Sequence, residues 1–176
     1  MEAWLLRASA ASAAFGGVAL LTISAVTVYS IVGRALPDWP GLAWWRPVRG
    51  DFELVEMGTA IAIFSFLPYA QITRAHVLVD VFTSGASPRA TAAMAVPANL
   101  LLTGIAALVT WRMAVATASL MTSTYTQTTM MLHIPTWWGY LPATAFMAFL
   151  ALVSAFTVWR ALDEALHEGE RSATPP

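Results

Sequence analysis

The chain has 176 residues, 58% of them hydrophobic and 11% charged, with nine basic residues that are all Arg, no Cys and a formal net charge of −1. Soluble domains carry about 25% charged and 45–50% apolar residues, so this composition belongs to an integral membrane protein. Arg residues spread singly offer no surface for nucleic acid, and the lack of Cys excludes disulfides, thiol redox chemistry and thiolate metal sites.

Four stretches hold no Asp, Glu, Lys or Arg: between Arg7 and Arg34, Glu56 and Arg74, Arg89 and Arg112, and from His133 to Arg160. A hydrocarbon core of about 30 Å is crossed by about 20 apolar helical residues, so each stretch predicts a transmembrane helix. The expected fold is an all-α integral membrane protein, four transmembrane helices joined by short loops. The helices are placed at residues 9–33, 54–74, 90–115 and 136–160, in one domain of residues 1–165, followed by a disordered tail, 166–176. No room is left for a soluble catalytic domain.

The first uncharged run, Ala8 to Gly33, is longer than the 7–15 apolar residues of a signal peptide, which predicts an uncleaved helix. Small residues four apart, Ser9, Ala13 and Gly17, predict the face that another helix approaches. The segment from Arg34 to Gly50 is broken by Pro37, Pro40, Pro47 and Gly41, and its Trp39, Trp44 and Trp45 suit the headgroup region. Asp51 suits a helix N-cap, and Glu53 and Glu56 share a face near the positive end of the helix dipole. Pro68 withholds a bond from the Phe64 carbonyl and predicts a kink. Arg74 and His76 close the second span, and Asp80 follows.

In the third span Pro97 and Asn99 interrupt the apolar run, and an amide in lipid turns toward a neighbouring helix. The span is placed at 90–115, and how far it continues beyond Arg112 into the Ser-, Thr- and Met-rich segment 117–129 is left open. Pro135 opens the fourth span, where Trp137, Trp138 and Tyr140 form an interfacial belt.

An even number of spans puts both termini on one side. That side holds Arg7, Arg74, Arg89, Arg160 and Arg171 against Arg34, Arg46, Arg49 and Arg112 on the other, a slight lean toward cytoplasmic termini. His76 and His133 fall at opposite faces and His167 in the tail, so no pair clamps a haem within the bilayer. No ionisable group is expected deep in a span, which removes the usual proton-coupling apparatus. Hydroxyls and carbonyls still bind Na⁺ without a carboxylate, but the repeat that marks such sites is not apparent. No metal site and no cofactor are expected.

The order Val32-Gly33-Arg34, Gly50-Asp51-Phe52-Glu53-Leu54-Val55-Glu56 and Arg74-Ala75-His76-Val77-Leu78-Val79-Asp80, followed by Thr128 to Trp138, resembles the small membrane subunit of tripartite ATP-independent periplasmic (TRAP) transporters, the DctQ-like family. The resemblance covers roughly residues 10 to 160. It implies a small permease subunit in a bacterial inner membrane, with both termini cytoplasmic, scaffolding a large permease. The permease holds the substrate and Na⁺ sites, and a periplasmic binding protein delivers a small organic acid. Beside membrane lipid, the large permease and the binding protein are thus the implied partners. Glu53, Glu56, Arg74, His76 and Asp80 are the candidate partner contacts. Two other readings stand beside it: a homo-oligomeric carrier or channel lined by Asn99 and hydroxyls, and a membrane enzyme using Glu53, Glu56 and His76. The enzyme reading is weak, because its acid and base fall at opposite ends of one helix.

Overall fold

Once water is gone, every backbone amide must bond within its own segment, so long uncharged runs become continuous helices. The computed structural model describes residues 2–36, 45–73, 88–123 and 127–173, the side chains of 88–96 and 164–173 excepted. Four helices result: α1 (Glu2–Ala35), α2 (Asp51–Ile72), α3 (Pro88–Thr122) and α4 (Trp137–Ala173). All four are long and apolar enough to span a bilayer, and no strand occurs among the described residues.

α1 packs on α2, α2 on α4 and α4 on α3. The parallel pair α2–α4 is therefore central, and α1 and α3 flank it, running the other way. Without a hydrophobic drive between helices in lipid, close approach and interhelical hydrogen bonds must hold such a bundle together. The closest approach falls at Gly16, where a Cβ would overlap the Ser65 hydroxyl and lie 3.1 Å from the Ala62 carbonyl oxygen. The buried stripe of α1 runs Leu5, Ser9, Ser12 and Gly16. This corrects the expected face of Ser9, Ala13 and Gly17: Ser9 is fully buried, Ala13 is half-buried, and a Cβ on Gly17 would meet nothing within 4 Å. A strict four-residue step drifts around a helix of 3.6 residues per turn, whereas alternating steps of three and four stay on one face.

At the far end from Asp51, three helices are knitted by neutral polar groups. The Gln71 amide donates to Asn99 Oδ1 (3.1 Å) and to Thr157 Oγ1 (2.8 Å). Asn99 thus turns toward its neighbours, and Gln71, which sequence reasoning passed over, is the donor at the centre. Leu5, Ile72 and Val153 pack beside this region, and Glu2 pairs with Arg160 at 2.6 Å. Pro68, buried in α2, sits one turn before Gln71.

The helices outrun their expected bounds. α3 continues to Thr122 because its hydroxyls bond back to its own carbonyls: Thr110 to Ala106 (2.7 Å), Thr117 to Met113 (2.8 Å) and Thr122 to Ala118 (2.9 Å). α4 continues to Ala173, into the tail expected to be disordered, while 174–176 lie outside the described residues. The longer α3 overturns one expectation about charge. Met113 and Phe64 pack on a cluster of Ala106, Met147 and Leu150, and the Thr117 and Thr144 hydroxyls lie 3.0 Å apart. Arg112 is therefore level with the middle of α2 and of the apolar run of α4, not at a helix end. A charged residue at that depth costs at least about 2.5 kcal/mol in lipid when left unpaired.

Candidate functional site

The end of the bundle that carries Asp51 is where the polar blocks of the sequence meet. Arg34, in the last turn of α1, forms an ion pair with Asp51, donates to Ser30 Oγ (3.1 Å) and lies over the Phe52 ring at 5.2 Å. Asp51 is buried and is the first residue of α2, and no side chain caps the helix. The expected N-cap role is thus corrected. A carboxylate beside an inward-reaching guanidinium gains more from that charge than from a backbone amide. Gly50 takes the cap position instead, at φ 74°, and a Cβ there would lie 2.6 Å from Leu132 Cγ. Only glycine combines that left-handed backbone with so close a side chain.

Leu132 belongs to the loop before α4, and Glu53 holds that loop in place. Its carboxylate accepts from the backbone N–H groups of Met131 (2.7 Å) and Leu132 (3.0 Å). Around these bonds the loop closes on itself. Thr129 N donates to Ile134 O (2.9 Å), Ile134 N to Thr129 Oγ1 (3.1 Å) and Thr136 N to Gln127 O (2.9 Å), while His133 sits at φ 54°. Met130 at the tip is 93% exposed. The block from Thr128 to Trp138, noticed in the sequence as one unit, is a loop folded on itself and clamped by the first turn of α2.

Between α2, α3, α4 and this loop lies a cleft of about 360 Å³. Met57, Ala60, Phe64, Met113 and Ala143 form its apolar floor, and Glu53, Glu56, Thr129, Thr136 and Tyr140 supply its polar groups. Glu56 is exposed and makes no hydrogen bond among the described residues, in contrast to Glu53 one turn earlier. Among the described residues no histidine, cysteine or basic residue lines the cleft, and no three His, Cys, Asp or Glu could hold a metal ion. Such a surface can accept an apolar group or a cation.

The other expected positions are scattered. Trp45 stacks on Tyr29 at 5.0 Å and donates its indole N–H to the Tyr29 carbonyl (3.2 Å). Trp137 and Trp138 meet edge to face at 6.0 Å, with Trp138 and Tyr140 exposed at the same end. Trp39, Trp44, Arg74, His76 and Asp80 lie outside the described residues. The structure brings Glu53 and Glu56 to the loop and the cleft, and places Asn99 at the opposite end. The Arg34–Asp51 pair escaped the sequence, since nothing local marks two residues 17 apart as partners.

A family model described as tripartite ATP-independent periplasmic transporters, DctQ component, matches residues 23–164. No curated protein and no solved structure matches the chain.

Proposed function

The chain belongs to the DctQ component family of tripartite ATP-independent periplasmic transporters, and from that premise we propose that it scaffolds a large permease subunit without itself binding the transported solute. The transporter drives uptake of a small organic acid with the Na⁺ gradient, and a periplasmic binding protein delivers the acid. The chain lies in the bacterial inner membrane with both termini cytoplasmic. Arg112 lies within the bilayer and leaves the charge tally, so five Arg on the terminal side stand against three on the other, in keeping with that orientation.

The observation that carries the reading is the placement of acid. Among the described residues no carboxylate lies between Glu56, near the start of α2, and Ile72 at its end, and none lies between Trp137 and Asp163 on α4. Secondary carriers use ionisable groups or broken helices near the bilayer midplane to couple an ion to a solute, and the central pair has neither. Arg112, the charge that α3 carries at mid-depth, is a cation turned away from the bundle, which repels Na⁺ rather than binding it. Coupling then falls to the partner. The cleft at the Asp51 end, with Glu56 unengaged, serves as a contact for the large subunit or the docked binding protein. Arg74, His76 and Asp80, which lie outside the described residues, are further candidate contacts for the large subunit.

The test is to tag this chain in its native membrane, extract it in mild detergent and identify the proteins that accompany it. A much larger multi-span protein in fixed ratio is expected. Recovery of this chain alone, together with solute transport by it in liposomes, would overturn the reading in favour of a self-sufficient carrier.

A further inference from the structure

Resting on that reading, we propose that the outer face of α3 centred on Arg112 is the docking surface for a membrane helix of the large subunit that carries an Asp or Glu at mid-depth. The level of Arg112 follows from its neighbour Met113, which packs with Phe64 on Ala106, Met147 and Leu150 in the middle of the bundle. Its own side chain points away from the bundle. It is exposed and, among the described residues, makes no hydrogen bond or ion pair.

Snorkelling does not rescue it. Thr122, the end of α3, lies ten residues on, about 15 Å along the helix axis. A three-methylene stem is too short to carry a guanidinium across half of a bilayer of about 30 Å. An unpaired guanidinium at this depth is therefore incomplete within the chain, and charge complementarity specifies what completes it. A carboxylate fits the guanidinium fork in bidentate geometry, and in a low-dielectric setting the pair is far stronger than in water.

The surface around Arg112 fits a helix. Leu108 and Val115 stand exposed about one turn to either side of it and Trp111 directly before it, and a Cβ on Gly104, two turns away, would meet nothing within 4 Å. A partner backbone can approach at Gly104 while apolar side chains flank the charge. The central pair is covered by α1 and α3, and of these two covers α3 alone carries a mid-depth charge among the described residues.

The experiment compares wild type, R112L and R112K in the tagged native complex, and each form of the isolated chain in detergent. If wild type fails to recover the large subunit, the function reading fails with this proposal. If wild type recovers it, the expected result is a loss on the order of 30-fold for R112L, because the partner's carboxylate is left buried and unpaired, and a smaller loss for R112K. The melting of the isolated chain should be unchanged or raised in R112L, since no intrachain bond is removed. Equal recovery of all three forms from membranes would overturn the proposal alone and assign Arg112 to lipid. A melting of isolated R112L well below wild type would equally overturn it, by showing that the arginine serves this chain's own fold.

Discussion

α1 and α3 flank the same central pair, run in the same direction and turn apolar residues outward, yet they are built for different surroundings. α1 holds no charged residue between Arg7 and Arg34, and its outward face of Val18, Leu21 and Val28 suits lipid without further help. Its specialised face is the inner one, where Gly16 admits Ser65. α3 reverses the arrangement, with an inner face of ordinary packing around Ala106 and Met113 and an outer face bearing Arg112. A small residue on an inner face serves the chain's own fold, and a charge on an outer face calls for a second chain.

The largest effect that separates the two helices is expected from leucine at their glycines. Gly16→Leu forces side-chain atoms into Ser65 and the α2 backbone and should destabilise the isolated chain by roughly 3 kcal/mol, read from denaturation in detergent. Gly104→Leu enters open space and should change that stability by less than about 0.5 kcal/mol while lowering recovery of the large subunit. Equal destabilisation by both would erase the distinction between inner and outer faces.

Next in size is Gly50→Ala, which combines a left-handed backbone with an overlap on Leu132. A loss of roughly 2 kcal/mol is expected in the same assay. Gln71→Leu removes the amide that bonds Asn99 and Thr157 and should cost about 0.6–1.7 kcal/mol, the range for interhelical hydrogen bonds in lipid. A null effect there would mean that packing of Leu5, Ile72 and Val153 alone holds that end. The smallest change is local: Glu53→Ala should speed hydrogen exchange at the amides of Met131 and Leu132 several-fold and leave the helical amides protected.

The spans were legible because the exclusion of charge over about 20 residues is a physical requirement of the bilayer and survives any arrangement of the helices. Asn99 was legible for the same reason, as an amide with no water to meet. Gln71 obeys the identical rule, but its place at the end of a span, near Arg74, disguised it as an interfacial residue. Arg112 was not legible as a mid-depth residue because a charge that closes an apolar run reads as its boundary, and the Ser- and Thr-rich segment after it does not say how far the helix continues. Those hydroxyls satisfy themselves on the preceding turn, so the helix runs on. At the candidate site the acids Glu53 and Glu56 were legible as a pair on one face. Their different fates, one clamped to loop amides and one free at a cleft, depend on a loop some 78 residues away in sequence, and no local pattern encodes that meeting.

The chain contains no Cys, so single cysteines can be placed on each outer face without background from the chain itself. The most direct test is disulfide or short-linker cross-linking in native membranes from Leu108→Cys on α3 and from Val18→Cys on α1. Capture of the large subunit from Leu108→Cys, and not from Val18→Cys, is the expected result. Capture from Val18→Cys alone would place the partner on α1 and contradict the assignment of α3 as the docking helix.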